Sequence, residues 1–337
     1  MVAKNKKIRA LAMFSGGLDS ILAIKLIQEQ EIEVTAINFT TPFFPNDKAI
    51  ESASKLGIKL IVVDLSSNKN YLNILKKPKH GYGAGLNPCI DCKIFMLKEA
   101  AKVMKKEKFD FIITGEVLDE RPMSQTYNNL KIIEAESGLK GKLLRPLSAK
   151  VLPETDIVKK FLVNPNQLLA IHGRQRKEQF GLALRYNITE YPSPAGGCLL
   201  CEKTIKAKLL DLFEYRKISE IDFNELTLLK IGRHFRVGKT KFIVGRNKEE
   251  NEKLFLLKKS KEYLFHIIGA SSPVVLLKNE KPKKGEIEIA AKFTAYYSKS
   301  PEKNILIDYW KDEKNKEKIS IKLNDSEMEN LLKNKIG

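Results

Sequence analysis

The chain has 337 residues, 60 of them basic and 41 acidic, for a formal charge of +19. That length has room for two or three domains that bury cores without disulfide staples, and no apolar run reaches the roughly 18 residues of a membrane span. The lysine-rich excess points to a polyanionic partner, with a lysine-rich proteome as the competing explanation, and the basic start MVAKNKKIRA lacks the apolar core of a signal peptide, which points to the cytoplasm.

Residues 8–14 (IRALAMF) predict a short buried strand that stops at Ser15-Gly16-Gly17-Leu18-Asp19-Ser20. Ile21, Leu22, Ile24, Leu26 and Ile27 predict a helix over 20–30. The glycines therefore stand where a strand turns into a helix N-terminus, whose N–H groups and dipole favour an anion. Gly16 and Gly17 let the backbone approach phosphate closely, and Ser15 and Ser20 add hydroxyls. Asp19 suits a phosphate that arrives with Mg²⁺. An ordinary capped turn is the plainer alternative. The chain lacks the lysine-bearing GxxxxGK[ST] loop, which disfavours γ-phosphoryl transfer.

Residues 33–39, 58–64 and 109–114 predict further buried strands, with helices near 47–56 and 90–107 between them. Such alternation predicts an α/β fold: a parallel sheet with helices on both faces. The loop at 15–20, Asn38 and Thr114-Gly115-Glu116 then share the edge where α/β ligand sites form. Helices near 121–137 and 154–163 complete the domain.

The four cysteines form two pairs, Cys89-Ile90-Asp91-Cys92 and Cys198-Leu199-Leu200-Cys201. Four thiolates suffice for zinc or an iron–sulfur cluster, and a structural zinc tie and a working site both remain open. Pro88 and the helical run after Cys92 set the first pair at a helix N-terminus, where thiolates are stabilised. Gly196-Gly197 precede the second pair and end a Pro- and Gly-rich loop. The histidines, His80, His172, His234 and His266, are dispersed and predict hydrogen-bonded or RNA-facing roles. Beyond about residue 225, short apolar runs at 241–245, 264–268, 273–277 and 305–309 predict a smaller α+β domain. The tail after 310 alternates lysine with acid and is expected to be partly mobile. The expected divisions are 1–170, a linker region 171–225 carrying the second pair, 226–320, and a tail 321–337.

The string SGGLDS resembles the PP-loop of the ATP pyrophosphatases, adenine nucleotide alpha hydrolase-like proteins that cleave ATP between the α- and β-phosphates and adenylate a substrate oxygen. Taken with Asn87-Pro88-Cys89, Gly173-Arg174-Gln175-Arg176-Lys177 and the Pro-Ser-Pro-Ala-Gly-Gly-Cys-Leu-Leu run, the chain resembles the PP-loop tRNA thiouridine synthases, acting at C2 or C4. The resemblance implies ATP and Mg²⁺ held by Phe14, Ser15, Gly16, Gly17, Asp19, Ser20, Asn38, Thr114 and Gly115. It implies catalytic roles for Asp19, Cys92 and Cys201. A [4Fe–4S] cluster would sit on Cys89, Cys92 and Cys198, with Cys201 as fourth ligand or persulfide carrier and zinc as the alternative metal. Arg174, Arg176 and Lys177 would face RNA. The implied partners are tRNA, a sulfur donor (sulfide or a persulfide carrier) and a second copy in a homodimer.

A second resemblance, carried by Val244-Gly245-Arg246-Asn247, Asn251, Leu264-Phe265-His266, Ser271-Ser272-Pro273 and Ala290-Ala291 through Tyr296-Tyr297-Ser298-Lys299, is to the RNA-binding domain of the NFACT proteins. It implies tRNA or rRNA binding, with Arg233, Arg236, Arg246 and Lys299 on phosphates and Tyr296 or Tyr297 stacking on a base; a core aromatic pair is the alternative. Two competing functions remain: an RNA-binding protein with structural zinc, and a PP-loop enzyme acting on a small molecule.

Overall fold

The computed structural model describes residues 7–191, 198–267, 270–298 and 304–337. The chain divides into two units, Met1–Cys201 and Glu202–Gly337.

In the first unit the elements run β1 (Arg9–Met13), α1 (Leu18–Gln28), β2 (Glu33–Thr40), α2 (Asp47–Lys55), β3 (Leu60–Asp64), α3 (Lys69–Lys76), α4 (Cys89–Lys106), β4 (Phe111–Thr114), α5 (Tyr127–Glu136), β5 (Leu143–Leu144), α6 (Asp156–Lys159) and α7 (Lys177–Arg185). The five strands are parallel, in the order β3-β2-β1-β4-β5. Side chains alternate across a strand. Ala10 and Ala12 join the core cluster that holds Leu18, Ile21 and Leu22 of α1, while Leu11 is fully buried between them. Burial on both faces is what a parallel sheet covered by helices requires. The strand order reverses at β1, between β2 and β4, so the loops that follow β1 and β4 open the crevice where α/β proteins bind ligands.

The expected strands and the first three helices are present within one to three residues of the expected ends. The helix expected over 121–137 starts later, at Tyr127, because the Thr126 hydroxyl caps it by accepting from the Asn129 N–H at 3.4 Å. The helix expected over 154–163 is a single turn, Asp156–Lys159. The elements α3, β5 and α7 were not predicted from the sequence.

In the second unit the order is α8 (Lys203–Tyr215), α9 (Phe223–Leu228), β6 (Arg233–Val237), β7 (Thr240–Val244), α10 (Lys248–Leu257), β8 (Tyr263–His266), β9 (Val275–Leu277), α11 (Lys284–Tyr296), β10 (Asn304–Trp310), β11 (Glu317–Lys322), α12 (Asp325–Leu332) and β12 (Lys335–Ile336). Its strands form an antiparallel sheet in the order β11-β10-β8-β9-β7-β6-β12. Phe242 and Val244 of β7 enter the core under α11, where Phe235 stacks on Phe293 at 4.3 Å. Ile243 enters the opposite core with Leu254 and Trp310.

Two expectations on the division of the chain are corrected. The boundary falls at Cys201, so the second cysteine pair belongs to the first unit and α8 to the second, with no linker of 171–225. The segment 321–337 is folded: β12 pairs with β6, and Met328 and Leu331 are buried, since their spacing on α12 presents one apolar face to the sheet. No helix among the described residues is long and apolar enough to cross a membrane.

Candidate nucleotide and thiol site

Gly16 has φ +77°, and a Cβ there would lie 2.7 Å from the Lys48 carbonyl oxygen, so the turn after β1 requires glycine. The Ser52 hydroxyl donates to the Gly16 carbonyl at 3.2 Å and holds α2 against the loop. No side chain caps α1, whose N-cap is the extended Gly17. Its first-turn N–H groups are left without a side-chain cap, as at helix ends that receive an anion. The two serine hydroxyls are used differently from the expectation: Ser20 donates to the Gly17 carbonyl at 2.7 Å, and Ser15 accepts from the Gly17 N–H at 3.4 Å. They shape the loop. Gly115 packs rather than reaches outward, since a Cβ there would meet the Asp19 backbone at 2.5 Å. Asn38 donates through Nδ2 to the Phe14 carbonyl at 2.7 Å, while its buried Oδ1 has no partner. A buried acceptor left unpaired is costly.

Charges gather behind the loop. Asp19 takes a two-point contact from Arg176 Nη2 at 3.0 and 3.1 Å, and Arg176 Nε lies 3.5 Å from Glu120. Arg176, expected to face RNA, is thus drawn into the loop site, while Arg174 and Lys177 are exposed as expected of surface cations. Burial and the Asp19 charge raise the Glu120 carboxyl. Glu116 is buried between Lys93 and Arg145, the latter at 3.0 Å, and Thr114 Oγ1 donates to it at 3.2 Å. Burial pushes this carboxyl up, but the two cations outweigh it and hold it at about 2.

Cys89 and Cys92 occupy the first turn of α4. Asp91 between them accepts from the Lys79 and His80 N–H groups at 2.9 and 3.0 Å, tying down the preceding loop. Asn87 Nδ2 donates to Cys89 Sγ at 3.2 Å, and the buried Cys92 Sγ lies 3.9 Å from the Tyr71 hydroxyl. The second pair sits on a 3₁₀ turn, Leu199–Cys201, strapped to the same region: the Leu199 N–H donates to Phe43 and the Leu86 N–H donates to the Leu200 carbonyl at 2.9 Å. A Cβ on Gly85 would lie 2.4 Å from that carbonyl, which explains the glycine. Lys93, next to Cys92, reaches Glu116, the neighbour of Gly115. Loop and thiols are thus linked inside one unit through Gly115, Glu116 and Lys93.

At Cys92 the environment does not favour the thiolate expected at the helix N-terminus. Burial drives the Cys92 thiol well up, with a further push from Cys198, and burial raises Cys198 to about 12. Cys201 is exposed. Among the described residues no three His, Cys, Asp or Glu side chains converge as ligands of one ion. Gly196 and Gly197 lie outside the described residues. A cavity of about 710 Å³ lined by Lys131, Glu134, Arg145, Lys150 and Asp156 includes none of the loop residues. Tyr71, Lys93, Glu120 and Arg145 were missed from the sequence; only Glu116, two residues after the end of a buried strand, carried a local signal.

In the second unit, Arg236 is held internally by Asp211 at 2.8 and 2.7 Å and lies over the Tyr215 ring, so its assignment to RNA phosphate is corrected. Lys241 joins the same carboxylate at 2.8 Å. Arg246 pairs with Glu250 one turn on, yet its side chain is 50% exposed. Arg233 lies over the Tyr297 ring at 4.8 Å, and Tyr296 is exposed beside it. His234 is wholly buried, bonded to the Leu228 and Ile231 carbonyls. Lys299 lies outside the described residues.

Residues 6–159 match the family model described as thiamine biosynthesis protein (ThiI), and residues 232–332 match that of the NFACT protein RNA binding domain. The chain is 28% identical over 156 residues to a probable tRNA sulfurtransferase of Finegoldia magna, covering 44% of this chain and 38% of that protein. It is 29% identical over 164 residues to a probable tRNA sulfurtransferase of Thermococcus kodakarensis, covering 45% and 40%. The uncharacterized protein MJ1599 of Methanocaldococcus jannaschii is 29% identical over 146 residues, covering 43% and 49%. The matched region thus spans less than half the length of each of these relatives.

Proposed function

From a chain whose residues 6–159 are a ThiI-family domain and whose residues 232–332 are an NFACT-type RNA-binding domain, we propose an ATP-dependent tRNA thiolation enzyme of the cytoplasm. ATP is a substrate: the first-turn amides of α1 hold its phosphates, and Asn38 Oδ1 accepts from the adenine amino group beside Phe14. Asp19 would hold Mg²⁺, which when bound supplies a counter-charge for the departing pyrophosphate. The uridine carbonyl oxygen attacks the α-phosphorus, the α–β bridge breaks, and pyrophosphate leaves. A poor leaving group has become AMP. Sulfide then attacks the ring carbon and AMP departs; a cysteine persulfide attacks through its outer sulfur, AMP departs, and a second thiolate attacks the cysteine sulfur, breaking the S–S bond to release the thiouridine and leaving a disulfide.

Cys201, exposed, attacks the outer sulfur of a donor persulfide, whose own thiolate leaves, and Cys92, buried beside Tyr71, is shielded from bulk oxidants. Four soft thiols suit iron or zinc, and Cys89, Cys92 and Cys198 are the residues that would hold a [4Fe–4S] cluster. Arg233, Arg246 and the exposed Tyr296 supply phosphate contacts and stacking for RNA.

One observation supports the reading above others: the loop at 15–20 and both thiol pairs lie in one unit, and Gly115, Glu116 and Lys93 connect that loop to the helix that carries the first pair. The test is tRNA-dependent release of AMP and pyrophosphate. Asp19→Ala should abolish it with an unchanged circular dichroism spectrum, and turnover equal to wild type would sink the assignment. Mass spectrometry of tRNA nucleosides from a deletion strain should show one thiolated uridine missing.

A further inference from the structure

We propose that Arg176 is a ligand of the ATP phosphates, and that without nucleotide it is parked on Asp19. This rests on the nucleotide-site reading above and assigns a residue outside the segment that matches the ThiI model, which ends at 159. Arg176 is the N-cap of α7. That helix is fastened to α1 independently of Arg176, by Arg185 and Tyr186 on Glu29, each near 3 Å, and by Ala183 in the core shared with Ile21 and Leu22. The backbone that carries Arg176 is therefore fixed, and only its side chain has to move.

Three features argue for an exchange of partners. First, the two-point contact occupies the carboxylate of the phosphate loop, so Mg²⁺ and the guanidinium compete for the same oxygens. Second, a guanidinium matches phosphate as well as it matches carboxylate, with the same planar fork. Third, Arg176 Nε is buried, has no hydrogen-bond partner, and lies 3.5 Å from a Glu120 carboxyl that burial and the Asp19 charge raise. Held by that ion pair but by no hydrogen bond, the Nε–H is available to an acceptor. When Mg²⁺ takes Asp19, the freed guanidinium turns to the β- or γ-phosphate, and the added negative charge of the nucleotide is met by the charge that Asp19 releases. No bond is made or broken in this exchange.

The test uses the full chain and inorganic pyrophosphate in calorimetry. With Mg²⁺, Arg176→Gln should weaken pyrophosphate binding about 10- to 100-fold, the worth of hydrogen bonds to a charged group. Arg176→Lys should restore part of the loss, and tRNA affinity should stay within about twofold, since one phosphate contact fewer would lower it further. In EDTA, Asp19→Asn should bind pyrophosphate about tenfold more tightly than wild type, because it frees the guanidinium. That gain should vanish in the Asp19→Asn/Arg176→Gln double variant, which removes both members of the Asp19–Arg176 pair and the like charge beside Glu120, and so serves if Arg176→Gln fails to fold. No gain in Asp19→Asn overturns the proposal. So does Arg176→Gln binding pyrophosphate as wild type does while losing tRNA, the result expected of an RNA contact. A wild-type protein that binds neither Mg·ATP nor pyrophosphate overturns the nucleotide site itself.

Discussion

Glu116 offers the sharpest energetic test of the site. Its carboxylate lies buried between Lys93 and Arg145 and is held at about 2, against an ordinary value of 4.5. A folded-state value below the unfolded one contributes stability above the unfolded value, and that stability is lost as pH falls through the folded one. The difference corresponds to about 3 kcal/mol at neutral pH, from 1.36 kcal/mol for each pH unit. The figure agrees with the roughly 3–5 kcal/mol lost when one partner of a buried ion pair is removed. Glu116→Gln keeps the shape and removes the charge, leaving Lys93 and Arg145 facing each other. It should lower stability by about 3 kcal/mol at pH 7, and the gap to wild type should close between about pH 4.5 and pH 2 as the native carboxylate takes its proton. Urea unfolding followed by far-UV circular dichroism measures it. Trp310, the single tryptophan, belongs to the second unit, so its fluorescence reports that unit separately and should not move. A deficit that is the same at pH 7 and pH 3 would refute the electrostatic account and leave only packing.

Other outcomes follow from the same geometry. Gly16→Ala forces a Cβ into the Lys48 carbonyl at a left-handed φ and should cost about 1–3 kcal/mol and abolish ATP binding. Gly17→Ala, whose nearest neighbour is a serine side chain at 3.4 Å, should be tolerated; equal losses in the two variants would contradict the strained turn. Thiol labelling at pH 8, read by peptide mass spectrometry, should modify the exposed Cys201 well before Cys92, whose burial raises its thiol; labelling of Cys92 first would contradict that. Arg246→Gln should lower tRNA affinity and the salt slope by about one ion, whereas Arg236→Gln should instead destabilise the second unit by breaking its contact with Asp211. A large loss of tRNA affinity in a stably folded Arg236→Gln would restore the original reading of that residue.

Much of this molecule is written in local order. Apolar runs of strand length followed by helical periodicity specify β1-α1-β2 and the parallel sheet, because burial on both faces leaves a continuous apolar signature. The loop at 15–20 is legible in part for the same reason: the left-handed φ of Gly16 is a local demand, whereas its close approach to Lys48 belongs to the tertiary structure. Elements whose stability comes from distant partners were not legible. β5 is two residues long and exists as a partner of β4, and β12 exists as a partner of β6. The pairs that organise the site join residues far apart in the chain, Asp19 with Arg176 and Glu116 with Lys93 and Arg145, and no local pattern encodes such a meeting. The thiols show the division most clearly. Their place at the start of a helix was readable from Pro88 and the run that follows, but their protonation was not. A helix terminus and the Tyr71 hydroxyl favour a thiolate at Cys92, while its burial opposes it more strongly with a further push from Cys198, and only the packed tertiary structure decides which effect wins.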